Sequence, residues 1–176
     1  MLILVIIIAV IALGIVFAKH VDQQRWQRYQ FERDMYFRQY PFQWKGLEQF
    51  ELVLNMNTHA QKKLINELML RASETGYLRK ARVQREPECV NQQYSIKVMI
   101  QDLTIGYLEK RYAELLGGNL RKTDFETGRP IELNAEIIVF EKDDIDLGCR
   151  VRLDLPRDPR TVDRYIIENN KPNKAK

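Results

Sequence analysis

Between Leu2 and Ala18 no residue is charged, and nearly every position is Leu, Ile, Val or Ala. A helix in the core of a globular protein keeps one polar face, and this run has none. Its seventeen residues would rise about 26 Å in an α-helix, close to the ~30 Å hydrocarbon core of a bilayer. The expectation is a transmembrane anchor over residues 1–18. A cleaved signal peptide is the competing reading, because Val16 and Ala18 are small enough for a cleavage site. Against it stand an n-region of Met1 alone and an apolar run long for an h-region. Lys19, Arg25, Arg28, Arg33 and Arg38 follow, and positive charge on that side favours keeping it in the cytoplasm. The expected localisation is single-pass membrane, with the remainder of the chain cytoplasmic.

At 176 residues the chain has room for one anchor and one compact domain. Two cysteines, Cys89 and Cys149, make no disulfide framework, and there is no CxxC pair or His/Cys cluster for a structural zinc. No metal and no cofactor is expected.

Residues 19–48 read as a juxtamembrane connector crowded with Trp26, Tyr29, Phe31, Tyr36, Phe37, Tyr40, Phe42 and Trp44 among the arginines. One reading extends the first helix to about Tyr40, where Pro41 disfavours helix in the residue before it. Another makes the segment an interfacial belt of aromatics and arginines meeting lipid headgroups. A third is nucleic-acid contact, since interleaved basic and aromatic residues suit base stacking.

Beyond the connector the periodicity changes. Phe50, Leu52, Leu54 and Met56 alternate with polar neighbours, as a half-buried strand does. Thr58-His59-Ala60-Gln61 has capping-box spacing, and Leu64, Ile65, Leu68 and Met69 follow at helical spacing up to Gly76. Tyr77 to Glu86 returns as a strand. Tyr94 to Ile100 and Thr104 to Leu108 form a hairpin about Gln101-Asp102. A second short helix carries Tyr112, Ala113, Leu115 and Leu116 and closes at Gly117-Gly118, followed by a polar loop over 119–129. Ile131 to Phe140 and Cys149 to Leu155 are two further strands, joined by an acidic turn. The pattern predicts an α+β domain over residues 49–156, built as a small barrel or half-barrel with two short helices. Residues 157–176 read as a polar tail with no capacity for a core.

Arg85-Glu86-Pro87-Glu88, the strand ending Ile96-Lys97-Val98, then Ile105-Gly106-Tyr107-Leu108 with Ala113 to Leu116 behind it, together resemble the HIRAN domain family. Cys149 to Pro156 is similar to the last strand of its bacterial members. The resemblance covers about residues 50 to 156. It implies a compact OB/SH3-like β-barrel, in a family found alone or fused to helicases and nucleases. The best-understood member grips the 3′ end of single-stranded DNA with an Asn-Pro-Tyr-Asp loop. There the Tyr stacks on the terminal base and the Asp accepts from the 3′-hydroxyl. This chain has Cys89-Val90-Asn91-Gln92 at those positions. Gln92 retains a hydrogen-bonding group, but Asn91 offers no stacking ring. Tyr107 stands where that member has a His, and Lys110 aligns with a phosphate-contacting Lys. The resemblance therefore implies a nucleic-acid site at Arg85, Asn91, Gln92, Tyr107 and Lys110, with end recognition weakened.

Among the other polar groups, Arg79, Lys80, Arg82 and Arg85 share one strand. They serve either phosphate neutralisation or protection of a sheet edge. Strand alternation puts Arg79 and Arg85 with Ala81 and Val83, and Lys80, Arg82 and Gln84 on the opposite face. His20 and His59 are lone histidines. Glu141, Asp143, Asp144 and Asp146 lack EF-hand spacing and read as a solvated turn. Gly106 marks close packing or a positive φ. No nucleophile lies beside a base and no P-loop is present, so no catalytic residue and no enzyme is expected. The expected function is a membrane-tethered, HIRAN-like module binding single-stranded nucleic acid. The alternative is a protein- or lipid-interaction module that has lost DNA binding.

Overall fold

The computed structural model describes residues 2–86, 95–143 and 146–168; the side chains of 2–12 and of 143 lie outside that description. The chain divides into two compact units, Met1–Gln39 and Tyr40–Lys176.

The first unit is one helix, α1 (Leu2–Gln39). It stops where Pro41 disfavours helical backbone in the residue before it, as the sequence predicts. Among its described side chains, exposed apolar groups lie all round it, Leu13, Phe17, Trp26 and Phe31 among them, with no apolar stripe. Its own side chains pair locally, at the spacings that bring helical residues together. Trp26 stacks on Tyr29 with centroids 5.8 Å apart, and the Arg33 guanidinium lies 5.7 Å from the Phe37 centroid. His20 is 3.0 Å from the Gln24 amide.

The expected transmembrane anchor is not borne out. Among the described residues no helix is long and apolar enough to cross a membrane. Past Ala18 the helix carries Lys19, His20, Asp22 and Arg25, and a charge at the centre of a spanning helix costs roughly 2.5–3.5 kcal/mol. A transmembrane anchor, and with it a single-pass membrane localisation, is not upheld.

The second unit is α+β, with a curled antiparallel sheet forming a half-barrel. Its elements are β1 (Phe42–Trp44), β2 (Leu52–Leu54), α2 (Thr58–Glu67), β3 (Tyr77–Arg85), β4 (Ile96–Ile100), β5 (Leu103–Tyr107), α3 (Lys110–Asn119), β6 (Ile131–Asp143) and β7 (Asp146–Leu153). A 3₁₀ helix (Pro159–Tyr165) and β8 (Ile166–Ile167) close it. Strands run in the order β2-β7-β6-β3-β4-β5, each antiparallel to its neighbour. β1 adds in parallel to β6, and β8 pairs with β1.

Alternation fixes which face is buried. Val98, Val83 and Ile131 align across three strands and are fully buried, as are Ala81 and Leu133 in register beside them. Each large aliphatic side chain of this kind contributes about 1.5–3 kcal/mol. The opposite face carries Lys80, Arg82, Gln84, Lys97, Met99 and Glu132. Curling brings the two outermost strands together. A Cβ at Gly106 would lie 3.4 Å from the Asn55 carbonyl oxygen and 3.4 Å from a Leu54 methyl. Close packing, not a positive φ, thus accounts for Gly106.

Several local expectations change. Asn57, not Thr58, caps α2: its Oδ1 accepts from the Ala60 amide at 2.8 Å. The helix ends far short of Gly76. Met69 takes φ +50° just past its end, and the Leu70 amide donates to the Ile65 carbonyl at 2.9 Å, a Schellman closure without glycine. α3 runs through Gly117 and Gly118 rather than stopping at them. Phe125, in the loop read as polar, is fully buried.

The compact unit also reaches beyond residues 49–156. Phe42 and Trp44, assigned to the connector, are buried strand residues of this sheet. Pro159 and Val162 are buried as well, so the segment read as a coreless tail packs into the unit. The Tyr112 hydroxyl donates to the Pro156 carbonyl at 2.8 Å, and Asn119 donates to Pro159 and Asp163.

Candidate nucleic-acid interface

Three strand ends meet at one margin of the sheet. β3 finishes at Arg85 opposite Ile96, where β4 begins, and β5 finishes at Tyr107 opposite Lys97. The Leu108 amide then donates to the Ile96 carbonyl at 2.9 Å, and α3 starts at Lys110. Residues distant in sequence are thus gathered by antiparallel pairing alone.

Tyr107 is half exposed and lies directly across from Lys97, so ring and ammonium stem share a face. Lys97 is 3.4 Å from Glu86. Lys110 is exposed at the first position of α3. The residue before it, Glu109, makes no side-chain cap hydrogen bond. First-turn amides of a helix lack intrahelical acceptors, which favours an anion there. An aromatic face with two ammonium groups and open helix amides can stack a base and meet phosphate oxygens.

Arg85 is placed differently. It lies on the face of Val83, its side chain is mostly buried, and it pairs with Glu126 at 3.4 Å. The structure therefore sets it apart from the Tyr107 face. Asn91 and Gln92, the other two site candidates, lie outside the described residues, as does Cys89.

The strand carrying Arg79, Lys80, Arg82 and Arg85 sits between β6 and β4. Guarding a sheet edge is therefore not its role. Arg82 is held by Glu132 at 3.4 Å, and Arg79 donates to the Leu78 carbonyl and lies over Tyr77. Lys80 is exposed and has no ion pair among the described residues. Beside it, on the face of Lys97, is a cavity of about 220 Å³ lined by Lys80, Arg82, Met99, Gln101, Asp102 and Glu132. Nothing in the local sequence marks it, because Glu132 joins from a strand fifty positions away from Arg82. The arrangement of Lys80 and Arg82 on one face was legible.

Elsewhere the polar groups serve the fold. Asp146 pairs with Lys62 at 3.0 Å, and Asp144 lies outside the described residues. His59 is exposed in the first turn of α2. No group of three or more potential metal ligands occurs among the described residues. Burial pushes the Cys149 thiol up to about 11 and raises the Tyr112 phenol further, helped by the charge of Asp158.

No family model, curated protein or solved structure matches this chain.

Proposed function

We propose that the second unit is a HIRAN-like module that binds single-stranded nucleic acid, DNA in particular, through the Tyr107 face. The observation that carries this reading is the half-exposed Tyr107 ring beside Lys97, with Lys110 opening α3 three residues on. Two further features support it. The close approach of Gly106 to Asn55 and Leu54 is what a small OB/SH3-like barrel needs as its edges draw together. OB-type barrels bind single strands with aromatic platforms and basic grooves. Arg85 has no part in this contact, because its guanidinium is committed to Glu126.

The test is a titration of the full chain with a fluorescent single-stranded oligonucleotide over a series of salt concentrations. Binding should weaken as salt rises, with a log–log slope of about −0.7 for each phosphate neutralised. Free and blocked 3′ ends should bind alike, because Asn91 and Gln92 stand where the end-reading Tyr and Asp would. Replacing both, Asn91→Tyr with Gln92→Asp, should raise affinity and create a preference for a free end. Absence of binding at low salt by parent and double variant alike would leave a protein partner as the remaining reading.

A further inference from the structure

The cavity beside Lys80 is unusual for this sheet in its lining. Met99 supplies an apolar thioether, and Lys80 and Arg82 supply cations. Gln101, Asp102 and Glu132 supply an amide and two carboxylates. Its 220 Å³ falls below the roughly 300 Å³ of pockets that hold drug-sized ligands. It far exceeds the ~30 Å³ that one water occupies. That space suits one small planar group.

Its position ties it to the Tyr107 face. Lys97 and Met99 are two residues apart on β4 and point the same way. The separation is about 7 Å along the strand. A strand of nucleic acid stacked at Tyr107 and passing Lys97 meets the cavity next.

The lining groups select among bases. Arg82 is engaged by Glu132, which leaves Lys80 and Asp102 as the charged groups without an ion pair among the described residues. Guanine carries acceptors, O6 and N7, together with the N2 amino donor. Only guanine presents two adjacent donors, N1–H and N2–H, to a single carboxylate; adenine and cytosine set an acceptor nitrogen beside their one exocyclic amine, and thymine offers no amine at all. A carboxylate beside an ammonium therefore matches guanine best. Asp102 and Gln101 form the two-residue β4–β5 turn, with φ of +64° and +48°.

We infer that this cavity is a guanine-selective subsite of the same single-strand interface. The inference rests on the nucleic-acid reading of the Tyr107 face. It adds the base that the interface prefers and the residue that reads it, Asp102, with Lys80 donating to the opposite edge of the ring.

The full chain is titrated with three otherwise identical strands: all thymine, one central guanine, and one central hypoxanthine, which lacks the N2 amine. The guanine strand should bind at least about fivefold tighter than the thymine strand, as one well-made base contact allows. Hypoxanthine should lose most of that gain. Asp102→Asn removes the carboxylate and keeps a residue tolerant of positive φ, so the turn survives. It should abolish the guanine preference, read as the ratio of guanine-strand to thymine-strand affinity, whatever the lost charge does to both strands alike. Tight thymine-strand binding with no guanine advantage would overturn the subsite and leave the functional reading intact. A preference that persists in Asp102→Asn overturns the assignment of Asp102. Failure of every strand to bind defeats the functional reading, and the subsite with it.

Discussion

The guanidinium carbon of Arg129 lies 4.2 Å from the centroid of the Phe42 ring, and its Nε donates to the Tyr40 carbonyl at 2.8 Å. Both side chains are almost fully buried. One arginine from the β6 approach thereby fastens the start of β1 to the compact unit. Asp124, 3.4 Å away, balances its charge.

Arg129→Met keeps bulk in that site but removes the donor and the charge over the ring. A buried charged hydrogen bond and a cation–π contact together account for roughly 2–4 kcal/mol. Urea unfolding should show a loss of that size. A variant as stable as the parent would mean that Phe42 is held by apolar packing alone.

Val98 sits in the centre of the three-strand row with Val83 and Ile131. Val98→Asp puts a carboxylate where no cation or water reaches it, against a domain margin of about 5–15 kcal/mol. The variant should not fold cooperatively in a thermal melt. A soluble, cooperatively melting Val98→Asp protein would place the core on the other face.

Met69 is strongly exposed and holds the left-handed position that ends α2. Glycine takes that backbone without the Cβ penalty, so Met69→Gly should stabilise by about 0.5–1 kcal/mol. The chevron or urea midpoint reads this directly. Destabilisation instead would show that the Met69 side chain makes a contact worth more than the strain.

The Cys149 thiol predicts a pH dependence. Burial raises it to about 11 from an ordinary 9.0, so the folded state holds a proton that the unfolded state releases first. Its contribution is full below pH ~9 and is lost as pH rises through about 11. Cys149→Ala should show a smaller decline in stability than the parent as pH rises from about 9 to about 11, with Tyr112 contributing to the decline that remains. Identical pH profiles for parent and variant would contradict the burial argument.

The strand and helix order of the second unit was legible because it rests on local periodicity. Ile96, Val98 and Ile100 show period two, and Leu64 and Ile65 fall on one helical face. What was not legible depends on partners distant in sequence. Phe42 and Trp44 resemble a connector until β6 and β8 pair with them, and Val162 looks isolated until the segment folds back to place it in the core. The end of α2 was misjudged because Met69 adopts backbone that composition assigns to glycine. The apolar N-terminal run predicted a spanning segment, and the charges from Lys19 onward limit what the described helix supports. At the site, Tyr107 and Lys110 fall near each other in sequence and were read together. Lys97 was overlooked, because its place opposite Tyr107 follows only from the register. Arg85 was grouped with them from its strand, whereas Glu126, from the loop before β6, claims its guanidinium.

Tyr107 is proposed above as the stacking platform of a single-strand interface. The most direct measurement is the dissociation constant of a single-stranded oligonucleotide for the full chain, compared with Tyr107→Ala and Lys110→Ala. Losing one stacking ring costs about 1–3 kcal/mol, so Tyr107→Ala should bind roughly 5- to 150-fold more weakly with an unchanged fold. Lys110→Ala should weaken binding less and reduce the salt slope by about one counterion. Equal affinity of Tyr107→Ala and parent, or no measurable binding by the parent at low salt, would contradict a stacking role for Tyr107.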